Sequence, residues 1–143
     1  MKAVVVAAGG QVDELIRSHL NQADLLIAAD GGAAPLLDLG SAPQVVIGDF
    51  DSLPSEAITQ LSQAGCEVVR VKREKDETDT ELAVRHALAL GAVDITLLGA
   101  LGGRIDHTLA NLILLAALAK KSIQARAVSP PLTVYAVSEN VVL

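Results

Sequence analysis

Aromatic residues are almost missing from this sequence: it has no Trp, one Tyr (Tyr135) and one Phe (Phe50). That argues against a nucleic-acid binder that stacks bases on rings. The charge argues the same way, because 11 Lys and Arg against 17 Asp and Glu leave a net charge of −6 and no basic surplus to displace counterions from a phosphate backbone. The single cysteine, Cys66, rules out an intramolecular disulfide and a Cys-built zinc site, and it reads as a small core residue beside a strand. No apolar run is long enough to span a bilayer. The most apolar stretch, Ile113 to Ala119, is bracketed by His107, Asn111 and Lys120 and reads as a buried helix. Met1-Lys2 leads into a short apolar run and then Gly9-Gly10 rather than a cleavage site, so no signal peptide is read and a cytoplasmic location is expected.

What the sequence does have is small and branched apolar side chains. Hydrophobic residues make up 51% of 143 positions, nearly all Ala, Val, Leu and Ile, which suffices for one domain with a real core. They fall into short runs that predict strands at 3–8, 25–29, 45–47, 67–71, 94–98, 125–128 and 133–137. Between them, helical spacing predicts helices at 13–22, 33–39, 55–64, 78–90 and 105–119. Ser55 is the expected cap of the third, with Gly65 as its stop. Thr78-Asp79-Thr80-Glu81 carries a capping-box pattern that opens the fourth. Strands that are apolar throughout and alternate with helices predict an α/β domain: an open, mostly parallel sheet with helices on both faces, a Rossmann-like three-layer arrangement. Residues 1–121 are read as the α/β domain and 122–143 as its closing strands. Val141-Val142-Leu143 is an apolar ending with no stop signal, which suggests a domain cut from a longer protein.

The polar residues that matter follow the strands directly. The most telling stretch is Val45-Val46-Ile47-Gly48-Asp49-Phe50-Asp51-Ser52-Leu53-Pro54, in which a buried run stops at a glycine and delivers two carboxylates. Paired aspartates on a rigid strand end suit a hard cation such as Mg²⁺, which takes a few carboxylates plus phosphates and water; a polar turn capping the next helix is the plainer reading. Strand two is followed by Asp30-Gly31-Gly32, whose glycines would let a nucleotide approach the backbone. Strand four is followed by Lys75-Asp76-Glu77-Thr78-Asp79, and strand five by Gly99 through Gly103 and then Arg104-Ile105-Asp106-His107. Asp79 in a first helical turn is stabilised by the helix dipole whatever its role. Glu81 reads as a capping residue. Lys72, Arg73 and Lys75 read as a solvated charge run, although a triphosphate held through metal benefits from nearby cations. The glycine loop lacks the Gly-Lys-Ser/Thr ending of a Walker P-loop, but its N–H groups, Gly102 and Gly103 included, could hold phosphate at the start of the next helix. His19 and His86 receive no role. Open α/β sheets bind ligands at the carboxyl ends of their strands, so four clusters converging on one sheet edge weigh more than any single motif.

Taken in order, Ala29-Asp30-Gly31-Gly32-Ala33, Ile47-Gly48-Asp49-Phe50-Asp51-Ser52, Lys75-Asp76-x-Thr78-Asp79-Thr80-Glu81-Leu82-Ala83 and Leu98-Gly99-Ala100-Leu101-Gly102-Gly103-Arg104-Ile105-Asp106-His107-Thr108-Leu109-Ala110-Asn111 closely resemble the thiamine pyrophosphokinase family. The resemblance implies Mg²⁺-dependent transfer of a pyrophosphoryl group from ATP to the hydroxyl of thiamine, giving thiamine diphosphate and AMP. It implies Asp49, Asp51 and Asp79 as metal-binding carboxylates, with Arg104 and Asp106 completing the catalytic set. It places Asp30, Gly31, Gly32, Asp76, Thr78, Gly102, Gly103, Arg104 and His107 around the nucleotide. It also implies a homodimer, and a C-terminal β-sandwich domain that helps form the thiamine pocket and would begin near where this sequence stops. Two other readings compete: a pyrophosphokinase acting on another alcohol such as a pterin, and a non-catalytic Mg²⁺–nucleotide binding module.

Overall fold

A computed structural model describes residues 1–7, 17–51 and 53–138. The strands are β1 (Lys2–Val6), β2 (Leu25–Ala29), β3 (Val45–Gly48), β4 (Glu67–Arg70), β5 (Asp94–Leu98), β6 (Gln124–Ser129) and β7 (Leu132–Tyr135). The helices are α1 (Arg17–Asn21), α2 (Ala33–Asp38), α3 (Ser55–Gln63), α4 (Asp79–Ala89) and α5 (Ile105–Lys120), and a 3-10 turn, Asp30–Gly32, joins β2 to α2. All seven strands form one sheet in the order β4-β3-β2-β1-β5-β6-β7. Every pairing is parallel except β6 with β7, a hairpin closed through the Pro130-Pro131 turn.

Two apolar layers come from one alternation. Successive strand residues point to opposite faces. Ala3, Val5, Ile27, Ile47 and Ile95 therefore pack on one face against Ala83, Val84 and Ala87 of α4 and Leu115 and Leu118 of α5. Val4, Val6, Leu26, Ala28 and Val46 pack on the other face against Leu20 of α1, Ala33 and Leu36 of α2 and Leu61 of α3. Each large side chain removed from water in this way contributes about 1.5–3 kcal/mol, so both layers are needed to hold the sheet. The expected three-layer α/β architecture is the observed one.

The topology positions a crevice. The chain winds outward from β1 through β2 and β3 to β4, then crosses back through α4 to pair β5 on the other side of β1. The strand order reverses between β1 and β5, and such reversals open a cleft at the carboxyl ends of the strands. At the cleft floor the Ala7 N–H donates to the Leu98 carbonyl at 2.8 Å.

Two local expectations need correcting. Ser55 does not cap α3: Pro54, extended at φ −61°, holds the cap position, no side chain hydrogen-bonds there, and Ser55 is the first helical residue. The segment expected as a buried helix, α5, is buried on one stripe, through Asn111, Leu115, Leu118 and Ala119. Its other side exposes Ile105 (77%), Leu109 (53%) and Ile113 (69%), because the sheet covers a single stripe of the helix. Residues 13–16 of the expected first helix, Gly9-Gly10, Ser52 and the apolar ending 141–143 lie outside the described residues. Among the described residues, no helix is long and apolar enough to cross a membrane.

Candidate functional site

A cavity of about 540 Å³ occupies the crevice at the carboxyl ends of the strands. Its floor is Ala7 after β1, Ala29 and Asp30 after β2, Asp49 after β3, and Gly99 and Ala100 after β5. One wall is the charged segment before α4, with Arg73, Lys75, Glu77, Thr78, Asp79 and Thr80; the other is the glycine loop and α5, with Gly102, Gly103, Arg104, His107 and Asn111.

The end of β3 is shaped by two residues in the left-handed backbone region, Asp30 at φ 45° and Phe50 at φ 65°. A bulky residue there costs about 1–3 kcal/mol and persists only where its surroundings hold it. Phe50 is held from three sides. Its N–H donates to Asp30 Oδ1 at 3.1 Å. Its ring is buried at 4% exposure, and the Arg70 guanidinium lies 5.2 Å from the ring centroid. Gly48 makes this approach feasible, since a Cβ at that position would lie 2.8 Å from Asp30 Oδ1. The turn separates the paired aspartates. Asp49 lines the cavity and accepts from the Asp51 N–H at 3.0 Å. Asp51 is more exposed and meets Arg73 Nη1 at 3.3 Å.

The α4 wall is built by its cap. Thr78, extended at φ −73°, accepts from the Glu81 N–H at 3.1 Å, as the capping pattern predicts, and this sets Asp79 at the first helical position beside the cavity. Lys75 Nζ lies 2.8 Å from Asp79 Oδ1 and also donates to the Lys72 carbonyl at 2.9 Å. Asp79 Oδ1 is buried and has no hydrogen bond of good geometry, so the ammonium satisfies its charge without being aligned on it.

On the opposite wall the glycine loop is tied to α5. The Thr108 hydroxyl accepts from the Gly102 N–H at 3.1 Å, and buried Asn111 donates from Nδ2 to the Ala100 carbonyl at 2.9 Å. Arg104 grips Asp106 bidentately, at 3.1 Å from Nε and 2.6 Å from Nη2. Those hydrogen bonds, helped by the His107 N–H, hold the Asp106 carboxyl below the usual carboxylate range.

Of the residues singled out in the sequence, Asp30, Asp49, Thr78, Asp79, Gly102, Gly103, Arg104 and His107 come together around this one cavity. Gly31, Gly32, Asp51, Asp76 and Asp106 do not line it. Gly32 has a packing reason of its own, since a Cβ there would lie 2.2 Å from the Val6 carbonyl oxygen. Arg73 and Lys75, read as a solvated charge run that could also serve a triphosphate, line the cavity, and so do Asn111, Glu77 and Thr80, which had no expected place in it. Asn111 carried a legible signal, because it is the one amide in an otherwise apolar helical run. Among the described residues, no three His, Cys, Asp or Glu side chains gather as a ready metal cluster. The cavity instead offers four carboxylates, Asp30, Asp49, Glu77 and Asp79, with the cations Arg73 and Lys75 on the same wall as Asp79 and Arg104 on the opposite wall. A buried, unaligned carboxylate oxygen with a second carboxylate on the same cavity is a donor set that fits a hard divalent cation completing its shell with phosphate oxygens and water.

Known proteins resemble this chain in sequence and fold. The family described as thiamin pyrophosphokinase, catalytic domain, matches residues 16–127. The chain is 34% identical over 128 residues to the thiamine pyrophosphokinase of Bacillus subtilis (strain 168), an alignment covering 88% of this chain and 60% of that protein. Among solved structures, thiamine pyrophosphokinase from Bacillus subtilis superposes with a TM-score of 0.78 at 31% identity, covering 91% of this chain and 61% of that one. Thiamin pyrophosphokinase from Geobacillus thermodenitrificans superposes with a TM-score of 0.74 at 34% identity, covering 90% and 59%. The chain thus spans about three fifths of the length of these relatives.

Proposed function

Because the chain belongs to the thiamin pyrophosphokinase family, we propose that its cavity holds ATP with Mg²⁺ and serves pyrophosphoryl transfer to the hydroxyl of thiamine, yielding thiamine diphosphate and AMP. One observation carries the reading: carboxylates following β2 and β3 and at the start of α4 share a single crevice at the strand-order reversal with cations from the segment before α4 and from the start of α5. Carboxylates alone would repel a polyphosphate, and cations alone would bind it without organising it. Together they suit a metal-neutralised triphosphate.

The roles follow from position. Asp49 on the floor and Asp79 on the wall are the metal carboxylates, and Asp51, exposed and paired with Arg73 in the metal-free chain, would have to turn in to join them. The metal, when bound, supplies charge neutralisation at the phosphate oxygens. Arg104 offers a planar donor fork to phosphate, and Asp106 fixes its orientation through the bidentate contact. The Gly102–Gly103 backbone and the Thr78 and His107 side chains border the nucleotide, with Asp76 in the segment before α4. Asp30, Gly31 and Gly32 form the β2 side of the site, where Asp30 also holds the Asp49–Asp51 turn through the Phe50 N–H. Nucleotide and metal binding belong to residues 1–121, and 122–143 close the sheet. We place the reaction in the cytoplasm, where ATP is supplied. The protein works as a homodimer, a reading supported by the exposed apolar stripe Ile105, Leu109 and Ile113 beside the site.

The test is AMP release on mixing the chain with ATP and Mg²⁺, with and without thiamine. Thiamine-dependent AMP, lost in Asp49→Asn while the far-ultraviolet circular dichroism stays unchanged, is the expected result. AMP formed with a hydroxymethyl pterin and not with thiamine would replace the acceptor. Tight metal-dependent nucleotide binding without AMP from either alcohol would replace the enzyme with a binding module.

A further inference from the structure

Lys75 is sheltered in a way lysines rarely are: its side chain keeps 16% of its exposure, and that of its partner Asp79 keeps 23%. The ammonium sits on the cavity wall, 2.8 Å from the carboxylate oxygen that the metal reading needs. The contact is one of charge alone, because Asp79 Oδ1 has no aligned hydrogen bond although it is buried. A spherical cation could replace such a partner without loss of directionality. Lys75 has a second anchor, the Lys72 carbonyl at 2.9 Å, so it need not go unpartnered when it leaves the carboxylate.

We infer that Lys75 is an internal competitor for the metal ion. Its ammonium neutralises Asp79 in the metal-free chain, and a divalent cation must displace it to reach that carboxylate. The inference rests on Asp79 being a metal ligand, as read above. Metal alone then binds weakly, because each ion taken up breaks a sheltered ion pair. The displaced ammonium stays in the same wall, four residues from Asp79, and adds a positive charge where a polyphosphate enters. Metal uptake and anion uptake are thereby coupled through one side chain. The neighbouring pair of Arg73 with Asp51 has the same form but side chains 80% and 60% exposed, so solvent screens it and it does not compete appreciably.

The test is Mn²⁺ binding without nucleotide, read by the electron paramagnetic resonance signal of free Mn²⁺. Parent chain, Lys75→Met, Lys75→Gln, Lys75→Arg, Lys72→Met and Asp79→Asn are compared, with thermal melts to establish folding; two neutral replacements are included so that one folded variant suffices. Lys75→Met and Lys75→Gln are expected to bind Mn²⁺ about three- to tenfold tighter than the parent, since tenfold corresponds to about 1.4 kcal/mol, the scale of a sheltered pair. Lys75→Arg keeps the competing charge and stays near the parent. Lys72→Met removes the same charge from an exposed neighbour and changes affinity less than about twofold, the scale of a screened surface charge. A residue that merely tethers the segment would weaken binding when removed, not tighten it. Unchanged or weaker binding in folded Lys75→Met and Lys75→Gln, with binding still abolished by Asp79→Asn, overturns the inference and leaves the metal reading standing. Equal tightening in Lys72→Met overturns it in favour of general charge. Mn²⁺ binding that is indifferent to Asp79→Asn overturns both.

Discussion

Replacing Gly32 with Ala isolates one close approach that shapes the site. Gly32 has ordinary helical geometry, φ −63° and ψ −16°, so an alanine is not strained by its own backbone. The obstacle is β1: the added Cβ would lie 2.2 Å from the Val6 oxygen and 2.8 Å from its carbonyl carbon. Ordinary carbon contacts begin near 3.5 Å, so the turn or the strand must retreat by about 1 Å. The strand cannot retreat cheaply, because β1 is hydrogen-bonded to β2 on one side and β5 on the other. Overpacking of this kind costs about 1–3 kcal/mol. The better backbone entropy and helix propensity of Ala return less than about 1 kcal/mol. A net loss of about 1–2 kcal/mol is expected, lowering Tm by about 3–8 °C for a domain of this size. Urea unfolding followed by circular dichroism measures it, with an unchanged m value showing that the native state alone has moved. The retreating turn carries Asp30, so amide exchange at Phe50 should accelerate in the same variant. A Gly32→Ala protein as stable as the parent would refute the close approach of this turn to β1 as the reason for a glycine at position 32.

Other perturbations test other joints of the site. Asn111→Ala strands the Ala100 carbonyl in the core and should cost about 1–3 kcal/mol in urea unfolding; the glycine loop should also exchange its amides faster. The Cys66 thiol is pushed up in pKa, first by burial and against the opposing backbone hydrogen bond from Val46, so it should react slowly with a thiol reagent at neutral pH and rapidly once the chain is unfolded; fast native reactivity would contradict its burial. The Asp106 carboxyl is held low chiefly by Arg104, so its charge-assisted contact should be complete above the ordinary carboxylate range and disappear as pH falls through the lowered native value. A carboxyl titration by nuclear magnetic resonance reads this directly, and Arg104→Gln should move the midpoint upward.

Much of this molecule was legible in its residues. The run Leu25–Ala29 is apolar and buried on both faces, and Asp94–Leu98 is buried from Ile95 onward; the bounds of both in the sheet match the expected ones. The convergence of four clusters on one edge followed from parallel strands alone. What the pattern did not reveal was direction within a cluster. Asp49 and Asp51 look equivalent in sequence, yet Phe50 turns left-handed between them and sends one toward the cavity and the other toward solvent. Lys75 looked like part of a solvated charge run, and Gly32 like a nucleotide glycine; each is decided by a residue distant in sequence or by a turn whose conformation no local propensity encodes. The exposed stripe of α5 was equally hidden, since Ile105, Leu109 and Ile113 are apolar whether or not something covers them.

The central claim is that two phosphates leave ATP together at this cavity. Incubation with ATP labelled in the β-phosphate, with Mg²⁺ and thiamine, tests it most directly. The account predicts label in thiamine diphosphate, AMP in equal amount, and loss of both in Asp49→Asn. Label retained in ADP, with thiamine monophosphate as the companion product, would contradict it.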